Sequence, residues 1–230
     1  MDKQMFCFQC EQTAKSVGCF GRQGVCGKKA DTANLQDDLT GAMIALAKVM
    51  KEKDSKNEEG YKVLIEGLFT TITNVTFDDE QIQRQIEKTD RVRESICDEP
   101  VEHFEMAKVW DADEDIRSLK SLILLGLRGM AAYGYHAMVL GYTDEEVNQF
   151  FVEGLYHIGF CDDFDTLLPM VLKTGEVNYK CMSLLDKANT ESYGTPQPVT
   201  VPLTIEKGPF IVITGHDLKD LKELLEQTEG

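Results

Sequence analysis

Four cysteines fall within the first 26 residues: Cys7, Cys10, Cys19 and Cys26, spaced C-x2-C-x8-C-x6-C. Four thiols this close in sequence can converge on one centre at little loop-closure entropy, which is what a four-coordinate metal or an iron–sulfur cluster requires. The intervening residues are polar and glycine-containing, so hydrophobic burial does not explain them.

Three arrangements fit the spacing. The first is a pair of disulfides. The chain has seven cysteines, an odd number, and Met1-Asp2-Lys3-Gln4 leads into the motif without the apolar stretch of a secretory signal. Both features argue for a reducing compartment, where disulfides are rare. The second is structural zinc, which commonly uses two C-x2-C knuckles; here only Cys7 and Cys10 form one. The third is an iron–sulfur cluster, for which uneven spacing is common. Spacing alone favours iron–sulfur over zinc, and both over disulfides.

Composition narrows the function class. The 230 residues are 42% hydrophobic and 28% charged, with a net charge of −16. That charge opposes binding to nucleic acid, since nothing offsets phosphate repulsion. No run resembles the roughly 18 apolar residues of a membrane span. A soluble cytoplasmic protein is expected. An acidic surface suits solubility first and a basic redox partner second.

The periodicity after the motif is helical almost to residue 190. Leu35, Leu39, Ala42, Leu46 and Met50 make one stripe, broken at Asn57-Glu58-Glu59-Gly60. Leu64, Ile65, Leu68, Phe69 and Ile72 make a second. Asp78 or Asp79 caps a third, with Ile82, Ile86 and Ile96 inward. Residues 98–113 are irregular and contain the lone Trp110. A long helix is predicted from Glu114 to Leu140, with Gly141 at C′. Thr143-Asp144-Glu145-Glu146 starts the next. A helix beginning near Leu167 is expected to stop at Gly175, and a last one to run from Val177 to Ala188. Short connections between such helices make a bundle.

The composition changes at Asn189. Four prolines, from Pro196 to Pro209, mark a linker, and Phe210-Ile211-Val212-Ile213-Thr214 reads as a short buried strand. Gly215-His216-Asp217 turns the chain into an amphipathic helix with Leu218, Leu221, Leu224 and Leu225 inward. Strand, turn and helix make one βα unit of a Rossmann-like sheet. The fold class expected is therefore mainly α: a Cys-rich segment (1–30), a helical-bundle domain (31–190), then a linker and the start of a truncated α/β domain (191–230).

The words around the cysteines resemble the amino terminus of the hybrid cluster proteins, also called prismane proteins or hydroxylamine reductases. They are Met5-Phe6-Cys7-Phe8-Gln9-Cys10-Glu11-Gln12-Thr13-Ala14-Lys15, Gly18-Cys19 and Gly24-Val25-Cys26-Gly27-Lys28. The likeness continues through Thr32-Ala33-Asn34-Leu35-Gln36-Asp37, Gly67 to Asn74, Arg117-Ser118-Leu119, Leu184 to Thr190, Tyr193-Gly194 and Ile213 to Asp220. The resemblance implies that Cys7, Cys10, Cys19 and Cys26 hold a [4Fe-4S] cluster, or a [2Fe-2S] cluster as in some members. The gap of six between Cys19 and Cys26 is one longer than the cubane members usually show, and the middle gap is shorter than in the [2Fe-2S] members.

It implies further that His216 is one ligand of a second, hybrid iron–sulfur–oxygen cluster, whose other ligands lie in two further domains of the family. On the residues alone, His216 reads as an ordinary helix-start histidine. The implied activity is reduction of hydroxylamine to ammonia or of nitric oxide to nitrous oxide, with electrons from a reductase partner relayed by the cysteine cluster. The 230-residue chain would then be incomplete and inactive alone. Two alternatives remain: a non-catalytic single-cluster electron-transfer fragment, and a zinc-stabilised helical protein.

Other candidates carry less. Cys97, Cys161 and Cys181 are scattered among apolar helical neighbours and read as packing groups. His103, His136 and His157 lack paired spacing. The aromatic group Tyr133, Tyr135, Phe150, Phe151 and Tyr156 reads as bundle core. Gly175, Gly194 and Gly215 form no dinucleotide fingerprint.

Overall fold

A short antiparallel hairpin opens the described chain: β1 (Met5–Cys7) lies against β2 (Cys19–Gly21), with Met5 opposite Gly21 and Cys7 opposite Cys19. The structure is a computed structural model and describes residues 4–7, 9–10, 18–72, 75–214 and 217–229. The hairpin sits on the start of the first helix through Met5, Ala30 and Ala33, with Cys7 and Cys19 packed at its edge.

The helices follow from stripes and caps. They are α1 (Ala30–Glu52), α2 (Glu58–Thr70), α3 (Asp79–Ile96), the single turn α4 (Ala107–Trp110), α5 (Glu114–Val139), α6 (Glu145–Phe160), α7 (Phe164–Tyr193) and α8 (Leu218–Gln227). The Asn57 run that reads as a break is a start: the Asn57 side chain accepts the Gly60 N–H at 2.8 Å, and Gly60 lies inside α2. Asp78 caps α3, and Asp144 accepts the Val147 N–H at 3.0 Å to cap α6. Gly141 takes φ +85° just past α5, a left-handed stop that suits glycine.

One core joins the bundle. Leu39, Met43 and Leu46 of α1 meet Leu64 and Leu68 of α2, Ile82 of α3, Ile123 and Leu127 of α5, and Phe150 and Phe151 of α6. Residues 98–106 cross α1 at Gly41, where the Phe104 N–H bonds the Gly41 carbonyl at 3.1 Å. A Cβ at Gly41 would stand 2.2 Å from the Phe104 carbonyl oxygen, so only glycine permits the crossing. Helix α5 is long and apolar enough, by length and composition, to cross a membrane, contrary to the sequence expectation. Its packing against α2, α6 and α7 inside the bundle accounts for that composition.

Three expectations are corrected. The stop at Gly175 does not occur, and α7 is one helix of 30 residues. It buries Leu167, Met170, Thr174 and Val177 on its packed side, and this burial outweighs the cost of one exposed glycine. The strand at 210–214 is not formed: Phe210, Ile211 and Val212 are exposed and join no strand among the described residues. A lone strand without neighbours has nothing to bond to or pack on. Helix α8 forms, but its leucines are not inward and none of its residues is buried. Of the expected strand, turn and helix, the described residues form the helix alone.

Candidate metal centre

Cys7 and Cys19 are directly opposite in the hairpin, so their side chains leave the same face about 5 Å apart at Cβ. Cys26 returns to them through a turn. The Gly24 N–H bonds the Lys28 carbonyl at 2.8 Å, Gly27 takes φ +88°, and the Val25 N–H points at the Cys19 sulfur at 3.5 Å. A Cβ at Gly24 would lie 3.7 Å from Cys26 Sγ and 3.8 Å from Cys19 Cβ, so these two side chains approach each other across it. Phe6 fixes the hairpin from outside by packing on Trp110, ring centroids 6.2 Å apart.

All four amino-terminal cysteines line one cavity of about 590 Å³. The cysteine segment forms one wall. One face of α5, through Leu125, Arg128, Gly129, Ala132 and Tyr133, forms the other, and Ile72 closes the end of α2. None of the seven cysteines is in a disulfide. Among the described residues no three His, Cys, Asp or Glu side chains are grouped closely enough to hold a single metal ion. His216 lies outside the described residues.

The electrostatics behind the cysteines was not read from the sequence. Arg128 and Lys28 both line the cavity and are 3% and 1% exposed. Arg128 Nε donates to Thr71 Oγ1 at 3.1 Å and Nη2 to Thr40 Oγ1 at 3.3 Å. Lys28 Nζ donates to Gln36 Oε1, and Gln9 Nε2 donates to Asp37 Oδ1. Burial pulls the Arg128 guanidinium down to about 10, against the opposing pull of Asp37, Cys7 and Cys10. Burial likewise pushes Asp37 up to about 7, although Arg128 and Lys28 oppose it. Burial raises the Cys7 thiol, with a backbone hydrogen bond at Gln9 and the Lys28 charge acting the other way. A signal existed: Arg128 is the only Asp, Glu, Lys or Arg between Ser121 and Val139.

The remaining candidates separate. Cys181 is buried against the Met130 carbonyl (Sγ–O 3.5 Å), and burial raises its thiol to about 12. Cys97 and Cys161 are the half-buried residues that end α3 and α6. His103 bridges Asp38 and Asp90, and the Nδ1 of His157 meets the Glu153 carbonyl. Phe150 and Phe151 are core, but Tyr133 is exposed on the cysteine cavity and Tyr135 stacks on Phe69. His136 Nδ1 stands 3.4 Å from Asp217 Oδ2. Both residues line a second cavity, of about 520 Å³, which shares Ile72, Ala132 and Tyr133 with the cysteine cavity.

A family model described as the prismane/CO dehydrogenase family matches residues 5–230. The chain belongs to the prismane/CO dehydrogenase family. Relatives in that family include a hydroxylamine reductase of Porphyromonas gingivalis, 39% identical over 259 residues, covering 100% of this chain and 47% of the relative. Another, from Thermodesulfovibrio yellowstonii, is 42% identical over 257 residues and covers 98% and 47%. A third, from Methanosarcina mazei, is 37% identical over 253 residues and covers 98% and 46%. The chain thus spans about half the length of the curated relatives it matches.

Proposed function

We propose that this chain is the amino-terminal, cluster-binding portion of an iron–sulfur oxidoreductase, with Cys7, Cys10, Cys19 and Cys26 as the ligands of a [4Fe-4S] cluster. The observation that carries this is the single cavity of about 590 Å³ onto which all four side chains open. The donor set and the space fit the group. One tetrahedral zinc, with zinc–sulfur bonds of about 2.3 Å, would close four thiolates into a much smaller volume. A thiolate-ligated iron–sulfur cluster supplies one-electron transfer when bound.

The chain's own residues shape that role. The hairpin orients Cys7 and Cys19, the Gly27 turn brings in Cys26, and the α5 face excludes water from one side. Tyr133 and Ile72 separate this cavity from the one beside Asp217, the neighbour of His216. The family resemblance supports His216 as a ligand of the hybrid cluster and an electron relay to it from the cysteine cluster. By the names of the relatives, the substrate of the whole protein is hydroxylamine; the family resemblance adds nitric oxide as a second substrate and a reductase as the electron donor. Only one of the expected hybrid-cluster ligands falls in this chain, so the chain alone is expected to transfer electrons without turning over hydroxylamine.

Anaerobically isolated protein should be brown, with about four irons and matching sulfide per chain. Cys→Ser at position 7, 10, 19 or 26 should remove the visible band or shrink the cluster. Stoichiometric zinc with no visible absorption contradicts the proposal.

A further inference from the structure

Alternation along its strands gives the cysteine hairpin two unlike faces. Cys7 and Cys19 leave the face that looks into the cavity. Phe6 and Phe20, directly opposite each other, leave the outer face. A cross-strand aromatic pair ordinarily covers a core, yet Phe6 is 43% and Phe20 63% exposed. In the turn that follows, Val25 is 67% exposed and its neighbour Cys26 is exposed too. The charge here runs against that of the chain: residues 18–30 hold Arg22, Lys28 and Lys29 and no acid, while the whole chain carries −16. Lys29 pairs with Gln23 across the turn and its side chain is exposed. It is also the N-cap residue of α1 and makes no capping bond. A cation is disfavoured at a helix amino terminus, so helix stability does not account for it, and the helix dipole adds to its positive field. The first-turn acid of α1, Asp31, lines a separate cavity with His103 and Phe104.

We propose, on the reading that the four amino-terminal cysteines bind an iron–sulfur cluster, that the outer face of this hairpin and its turn are the surface on which an acidic one-electron carrier protein docks. The overall composition suits a basic partner, but the charge beside the cysteines reverses that choice. Phe20 and Val25 supply apolar area that a partner can cover, and Lys29 supplies the opposite charge that draws in and orients an acidic one. The acidic remainder of the chain repels such a carrier, so the cationic spot decides where it lands. Cys7 and Cys19 leave the inner face of the same two strands, so the docked carrier and the cluster are separated by one β layer. In the step itself the reduced carrier gives up one electron and the oxidised cluster takes it up. No bond forms or breaks, and no proton moves.

The test is stopped-flow reduction of the cluster-loaded chain by a reduced plant-type ferredoxin, a small acidic [2Fe-2S] protein. Reduced methyl viologen serves as a second donor that needs no docking surface. Ferredoxin should reduce the parent more slowly as salt is raised, because screening removes the attraction. At low salt Lys29→Glu and Phe20→Ser should each lower the ferredoxin rate at least about fivefold while the viologen rate stays within about threefold of the parent. Lys29→Glu should also flatten the salt dependence. It places an anion at a helix start, which suits the dipole, so the variant folds. Leu172→Asp, at an exposed apolar position on α7, should keep the parental ferredoxin rate. Ferredoxin rates unchanged in both Lys29→Glu and Phe20→Ser overturn the inference, and so does a parental rate that rises with salt. Ferredoxin and viologen rates that fall together overturn it too, since the patch would then act on the cluster, as does an equal loss in Leu172→Asp. A parent chain that takes up no iron overturns the underlying cluster assignment as well.

Discussion

His103 ties residues 98–106 to the bundle by two ring contacts, Nδ1 to Asp38 at 3.0 Å and Nε2 to Asp90 at 2.9 Å. The Asp38 bond, and after it Asp90, holds the imidazolium up to about 9 despite partial burial. A histidine raised above its unfolded value contributes stability that is fully present below about pH 6.5 and is lost as pH rises through about 9. The contribution should be about 1–2 kcal/mol, less than the full shift because the site is partly solvent-screened. Urea unfolding at pH 6 and pH 10 should show this loss in the parent and not in His103→Gln. At the same scale, Cys97→Ala, Cys161→Ala and Cys181→Ala should leave iron content unchanged, and iron loss in a folded variant would revise the ligand set. The four amino-terminal cysteines were legible as one site because their types and spacing admit few other uses. Lys28, Asp37 and Gln9 were not, because a single polar residue carries no spacing signal, and Arg128 was marked only as the one charged residue in the run from Ser121 to Val139, which does not say what it faces. Its meaning comes from which helix face meets which hairpin.

Caps and stripes carried the helices well. Asp78, Asp144 and Gly141 end or begin helices where their side-chain oxygens or left-handed backbone suggested. Helix α7 was divided in error because Gly175 resembles a stop, while packing of α7 along α5 and α6 keeps the helix continuous. Pro169, the sixth residue of α7, removes one backbone bond to the Asp165 carbonyl, a cost that the packing of α7 along α5 and α6 offsets. A Cβ at Gly175 would meet nothing within 4 Å. Gly175→Ala should therefore stabilise the fold by about 1 kcal/mol, checked by thermal melting. Gly41→Ala should do the opposite, destabilising by about 2–3 kcal/mol as the Phe104 segment is pushed off α1. The run 210–214 has strand composition but no neighbour in the described chain, and composition does not state whether partner strands are present.

Across the whole molecule the cysteine hairpin packs on the start of α1, while one face of α5, the central packing element, forms the far wall of the candidate site. Hydrogen exchange should reflect that division: slow in α1, α5 and α6, and fast through residues 195–214, which are exposed and carry no regular structure. The central claim is that one [4Fe-4S] cluster is held by Cys7, Cys10, Cys19 and Cys26 together. Non-denaturing mass spectrometry of the anaerobic protein tests it directly, because the mass added distinguishes four irons and four sulfides from two of each, from one zinc and from disulfides alone. The account predicts the added mass of a single four-iron, four-sulfur cluster, with that species lost in Cys→Ser variants at each of the four positions. One zinc per chain, or an intact cubane in a Cys19→Ser or Cys26→Ser variant, would contradict it.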